Sequence, residues 1–202
     1  MSDVSKQSQL VCRRIKADGP GPGAQPRGPM IEDAVQRIGT RGGAELAALL
    51  PPDAVLVPLP RSAPSPPGQS NVLWVPRRIA EALVATGHGR VVAPMLVRAT
   101  AVQKSAFAGP GGRPTPQEHL DSLELRRELD IPDRIVLVDD VVTKGSTLLA
   151  AASLVQDAFP VAEVTCFSLV RTMGLVPDIS RIVDPVVGCI RRDPWGNADR
   201  QP

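Results

Sequence analysis

The chain contains no tyrosine, and aromatic residues make up only 2 % of it. With 43 % hydrophobic residues, its core must be built from Ala, Val, Leu and Ile, and a stacking platform for nucleic-acid bases is not expected. Charge of one sign is also scarce. Twenty-three Lys and Arg against 21 Asp and Glu leave a net charge of +2, too little to argue for a polyanionic partner. The three cysteines, Cys12, Cys166 and Cys189, are odd in number and widely spaced. They offer no zinc pair and suit reduced thiols. No apolar stretch is long enough to cross a membrane. No apolar core follows the first basic residues, as a secretory signal would require. These absences make a cytoplasmic protein with neither membrane nor nucleic-acid partner the expectation.

The 202 residues fit one domain with appendages. Residues 1–30 carry Lys6, Arg13, Arg14 and Lys16 and then a Gly/Pro run at 19–29. This segment reads as a disordered basic arm. Ile31, Val35 and Ile38 share helical spacing up to the break at Gly42 and Gly43, and residues 44–50 make a second helix stopped by Pro51 and Pro52. Residues 54–57 predict the first core strand. A helix is expected from a cap at Asn71 to about Thr86, with Leu73, Ile79, Ala80, Leu83 and Val84 toward a sheet and Pro76 tolerable only in its first turn. Residues 91–93 and 95–97 predict another strand, interrupted by Pro94. A long Gly/Pro-rich basic segment over 99–116 has the length of a lid. Residues 117–125 read as a short helix, 162–171 as a strand, and 182–190 as a last strand broken by a proline. The main domain then spans 31–192, and 193–202 is a polar tail in which Trp195 is the only aromatic able to stack on a base. Alternating strands and helices predict an α/β fold, a mostly parallel central sheet with helices on both faces.

The most informative stretch is 134–148. Ile135 to Val138 form a β-branched-rich apolar run suited to a strand buried on both faces, and Asp139 and Asp140 end it. The acids then stand at the carboxyl end of a strand, where open α/β sheets bind ligands. From Ser146 the period becomes helical, with Leu148, Leu149, Ala152, Leu154 and Val155 on one face. Amides at a helix start have no intrahelical partner and attract a phosphate monoester. Gly145 lets the backbone come close, Thr143, Ser146 and Thr147 offer small hydroxyls, and the two carboxylates suit vicinal hydroxyls. A phosphate at one end and a diol near the other describe a ribose 5-phosphate. A phosphorelay receiver domain also opens on a strand ending in two acids, but too little chain follows here. A nucleotide-hydrolase loop needs Lys after Gly, whereas Lys144 precedes Gly145.

Residues 138–147, Val-Asp-Asp-Val-Val-Thr-Lys-Gly-Ser-Thr, resemble the signature by which type I phosphoribosyltransferases bind phosphoribosyl pyrophosphate (PRPP). The resemblance implies the type I fold with a flexible lid and a small variable hood. It implies that Asp139 and Asp140 hold the ribose hydroxyls and that Val142, Thr143, Lys144, Gly145, Ser146 and Thr147 wrap the 5-phosphate. Pro60, Arg61 and Ser62 take the place of the pyrophosphate loop, where a planar guanidinium matches a diphosphate. Lys104, Ser105 and Arg113, with His119 behind them, fall in the lid, and the catalytic set becomes Asp139, Asp140, Lys104 and Arg113. Magnesium would arrive with PRPP, and the acid pair would act on it indirectly.

The form of the signature is most similar to small ComF-like and amidophosphoribosyltransferase-like members. The chain lacks the amino-terminal cysteine pairs of the former and the glutamine-hydrolysing domain of the latter. Thr143 replaces the Asp that touches the purine in 6-oxopurine salvage enzymes, which disfavours that acceptor class. The expected function is transfer of a phosphoribosyl group to a nitrogenous acceptor, the alternative a non-catalytic PRPP sensor. The acceptor is unknown, and a homodimer is compatible with a sequence that fixes no oligomeric state.

Overall fold

The computed structural model describes residues 3–17, 30–64, 73–103, 114–126, 132–172 and 185–201. In chain order these form α1 (Asp3–Ala17), α2 (Met30–Arg41), α3 (Gly43–Leu49), β1 (Val55–Pro58), α4 (Val75–Ala85), β2 (Val91–Val92), β3 (Leu96–Arg98), α5 (Pro116–Asp121), β4 (Leu123–Leu125), β5 (Arg134–Val142), α6 (Ser146–Ala158), β6 (Glu163–Arg171), β7 (Cys189–Arg192) and β8 (Ala198–Gln201). The central sheet has four strands in the order β2-β1-β5-β6, and every pairing in it is parallel.

Alternation along β1 and β5 divides the core between the two faces of that sheet. Val55, Val57, Ile135 and Leu137 point to one face and pack with Leu148, Ala151 and Val155 of α6. Leu56, Val136 and Val138 point to the other, where Val35 of α2, Leu46 of α3 and Ile79 and Leu83 of α4 cover them. Each buried aliphatic side chain of this kind contributes about 1.5–3 kcal/mol. Without tyrosine, both layers are filled mainly by aliphatic side chains, with Phe159 in one and Phe167 in the other. The expectation of an α/β fold with helices on both faces of a parallel sheet holds.

Several boundaries differ from the sequence reading. Residues 3–17 do not belong to a disordered arm. Val4, Val11 and Ile15 recur at helical spacing, and Ile15 is only 2 % exposed against the α2 and α4 layer. The Gly/Pro run at 19–29 lies outside the described residues. Asp139 and Asp140 do not end their strand: β5 runs on to Val142, paired through Asp139 with Ser168 and through Val141 with Val170 of β6. Pro94 separates two strands that belong to different sheets, β2 in the central sheet and β3 in an antiparallel pair with β4. The helix expected over 117–125 stops at Asp121, and Leu123–Leu125 form β4 instead.

At α4 the helix begins at Val75 with Pro76 in its first turn, and Leu73 is 41 % exposed rather than facing the sheet. The expected strand over 182–190 is reduced to β7 among the described residues. The polar tail is structured: β7 and β8 form a hairpin, with Trp195 at its tip and 83 % exposed. Arg200 ties that hairpin to the sheet, donating to the carbonyls of Val142 at 3.3 Å and Thr172 at 2.7 Å.

Candidate functional site

The carboxyl ends of β1 and β5 meet where the sequence places its candidate residues. Pro58 is in register with Val138, and the Leu59 amide donates to the Val138 carbonyl at 2.9 Å. The turn of Pro60, Arg61 and Ser62 therefore leaves the sheet beside Asp139. Both acids are turned back on the chain. The Asp140 amide donates to Asp139 Oδ1 and the Val141 amide to Asp140 Oδ1, each at 2.8 Å. These bonds fix the two carboxylates within the last residues of β5, before Val141 and Val142.

Burial, then the charge of Asp140, pushes the Asp139 carboxyl well above the ordinary carboxylate range, and Lys16 on α1 partly offsets the shift. Among the described residues, the cation acting on Asp139 offsets only part of the effect of its burial. The same physics raises two neighbouring thiols. Burial and then Asp139 push Cys166 up to about 12. Cys12 is raised mainly by burial, although Lys16 pulls it down.

After β5 the chain makes the loop Thr143, Lys144 and Gly145 and enters α6 at Ser146. Gly145 has φ 89° and ψ 13°, left-handed backbone that strains any residue with a Cβ. It supplies no side-chain cap, and the first intrahelical bond of the turn runs from the Leu149 amide to the Gly145 carbonyl at 2.8 Å. The amides before Leu149 are those that a helix start offers to an anion. Lys144 is exposed, while Thr143, Ser146 and Thr147 are half-buried.

The expected lid is a long connection within the β3–β4 hairpin. Its ends meet where the Ala99 amide donates to the Ser122 carbonyl at 2.9 Å, and the Val102 amide donates to the Ser62 carbonyl at 2.8 Å. Lys104, Ser105 and Arg113 lie outside the described residues. His119 does not stand at the open edge of a lid. It is 5 % exposed in α5, with Nε2 at 3.2 Å from Thr147 Oγ1. Burial, and then the charge of Arg98, lowers its pKa to about 4, so the ring is neutral near pH 7.

The sequence reading missed Arg98. This buried cation donates from Nε to the Arg61 carbonyl at 3.1 Å, and from Nη1 to the His119 carbonyl at 3.4 Å and to Ser122 Oγ. One guanidinium thus joins the turn after β1 to the end of α5. Burial lowers its pKa to about 10, with Asp139 acting against the shift, so it stays charged at neutral pH. Its one sequence signal is phase: Arg98 lies two residues from buried Leu96 and shares its face. A cavity of about 470 Å³ opens beside the turn, with Pro60, Arg61, Trp74, Arg98 and Arg126 in its wall.

Among the described residues no group of three His, Cys, Asp or Glu side chains converges as a metal site. The two adjacent carboxylates fit a cation only when a ligand brings further oxygens to it. Among those residues, too, no helix is long and apolar enough to cross a membrane. The chain matches no family model and no curated protein sequence.

Proposed function

We propose that the chain is a phosphoribosyltransferase of the type I fold, binding PRPP and transferring its 5-phosphoribosyl group to a nitrogenous acceptor. The observation that carries this reading is the sequence of parts at the end of one parallel strand. A half-buried acid pair, a loop with a left-handed glycine and the uncapped start of α6 follow one another directly. Asp139 and Asp140 accept hydrogen bonds from the ribose hydroxyls. Residues 142–147 hold the 5-phosphate through backbone amides and hydroxyls. Arg61, beside the acid pair, receives the pyrophosphate.

The reaction forms a bond between the acceptor nitrogen and the ribose C1 and breaks the bond from C1 to the pyrophosphate oxygen. The nitrogen gives up a proton. Magnesium, bound with PRPP, would neutralise the leaving diphosphate, with Asp139 and Asp140 as the residues that would hold it through the ribose hydroxyls. What the chain contributes is positioning and a fixed field. In this reading, keeping water from an oxocarbenium-like ribosyl centre falls to a lid, the role assigned to the 99–116 segment with Lys104, Ser105 and Arg113. The helix α1 and the β7–β8 hairpin supply the hood, since Lys16 acts on Asp139 and Ile190 packs on Gly145. Thr143 in the loop disfavours a 6-oxopurine as the acceptor.

The test is acceptor-dependent release of pyrophosphate from PRPP and magnesium across a panel of nitrogenous bases and amines. Release with one acceptor class supports transfer. PRPP binding without release for any acceptor would make the protein a PRPP sensor instead.

A further inference from the structure

We infer that His119 is a positioning residue, donating from Nε2 to Thr147 Oγ1 so that the Thr147 hydroxyl is turned outward as a donor to a bound phosphate group. The inference rests on the phosphoribosyl reading only for the identity of the compound that carries the phosphate.

The ring has two possible tautomers, and its surroundings separate them. Nε2 lies 3.2 Å from Thr147 Oγ1, while Nδ1 is buried and has no hydrogen-bond partner among the described residues. With the proton on Nδ1, a buried N–H would be left unpaired, which folded proteins rarely tolerate. The Thr147 hydroxyl would then spend its hydrogen on Nε2, and the loop would offer an anion only lone pairs. With the proton on Nε2, the buried Nδ1 keeps a lone pair, a lesser cost, and the ring donates to Oγ1. The Thr147 hydrogen is then free for a phosphate oxygen.

A doubly protonated ring would make the distinction empty, but burial and Arg98 keep the ring singly protonated at neutral pH. Its position is fixed from the other side. Arg98 Nη1 and Ser122 Oγ both donate to the His119 carbonyl, at 3.4 Å and 2.7 Å. Because the same guanidinium holds the Arg61 carbonyl, the turn of residues 60–62 and the phosphate loop share one support.

The chain has two histidines, so the signals are few to assign. Long-range proton–nitrogen NMR on the full chain, with His88→Gln for assignment, reads the tautomer directly. Calorimetric titration with ribose 5-phosphate and with inorganic phosphate then reads the consequence. The expected result is an Nε2-bound proton in the free protein. His119→Leu should bind ribose 5-phosphate about tenfold more weakly. His119→Gln, which can place an amide donor near the same point, should stay within about threefold of wild type, a rescue that a packing role alone would not give. Adding Thr147→Val to His119→Leu should cost nothing further.

An Nδ1-bound proton in the free wild-type protein overturns the inference whatever the variants do. So does His119→Leu binding as tightly as wild type. A wild-type chain that takes up inorganic phosphate, with an Nε2 response, but shows no preference for ribose 5-phosphate contradicts the ribosyl reading and supports the donor role of Thr147. Failure to bind either compound overturns both.

Discussion

Ile190 of the carboxyl-terminal hairpin lies against Gly145 so closely that a Cβ built on the glycine would meet Ile190 Cδ1 at 2.5 Å. The hairpin is therefore packed on the loop proposed to hold the 5-phosphate. Gly145→Ala meets two obstacles, the left-handed backbone and the isoleucine. It should lose roughly 2–4 kcal/mol in urea unfolding. Adding Ile190→Ala should relieve the contact but not the backbone strain, so the double variant recovers only part of the loss.

The bonds of Arg98 to Arg61, His119 and Ser122 give a second prediction. Arg98→Met keeps the bulk of the side chain and removes three hydrogen bonds, leaving the His119 carbonyl only its bond from Ser122 Oγ. It should destabilise the fold by about 2–4 kcal/mol. Arg98→Lys should recover little of this, because an ammonium cannot reproduce the fork that reaches acceptors on two elements. Equal stability of wild type and Arg98→Met would show that the network carries no weight.

His119 predicts a pH dependence of known sign. Its folded value of about 4 lies below the ordinary 6.5, through burial and then Arg98, with Glu118 acting weakly the other way. Between those values the unfolded chain binds more protons than the folded one, so stability rises with pH there. The contribution is whole above about pH 6.5 and is lost as the pH falls toward 4, amounting to about 3 kcal/mol at most. Urea midpoints of wild type and His119→Gln should converge as the pH is lowered through this window. Parallel pH profiles would contradict the assignment.

Asp139 works in the opposite direction. Its folded value is raised, so its contribution is present at low pH and is lost as the pH rises through the folded value. Asp139→Asn should therefore stabilise the unliganded protein by about 1 kcal/mol near neutral pH and above, with less gain at pH 5. The same substitution should weaken PRPP binding. A variant both less stable and fully able to bind would contradict the site.

The central layers were legible because hydrophobic pattern determines them. The run from Ile135 to Val138 is buried on both faces. Ile79, Ala80 and Leu83 of α4 and Leu148 and Val155 of α6 are buried too, whereas Ala150 and Ala151, not the expected Leu149, complete the buried face of α6. Where the structure departs, longer-range pairing decides. The strand β5 outlasts its apolar run because β6 offers partners as far as Arg171. Leu123–Leu125 leave a helical context to pair with β3, and the polar residues of β8 form a strand because β7 lies beside them.

The helix α1 was hidden by composition, since its basic residues precede a Gly/Pro run that dominates the reading of the whole segment. In the site, Asp139 through Thr147 are contiguous in sequence and their grouping could be read there. Arg98, Ser122 and the His119 contact to Thr147 could not. Their bonds join residues 21 to 37 positions apart, and no local spacing encodes them.

The most direct test of the account is calorimetric titration of PRPP with magnesium into the wild-type chain and into Asp139→Ala/Asp140→Ala, with folding of the variant checked by circular dichroism. Saturable binding by wild type that is lost in the folded double variant is the predicted result. Equal affinity in the two proteins, or no binding by wild type, would contradict it.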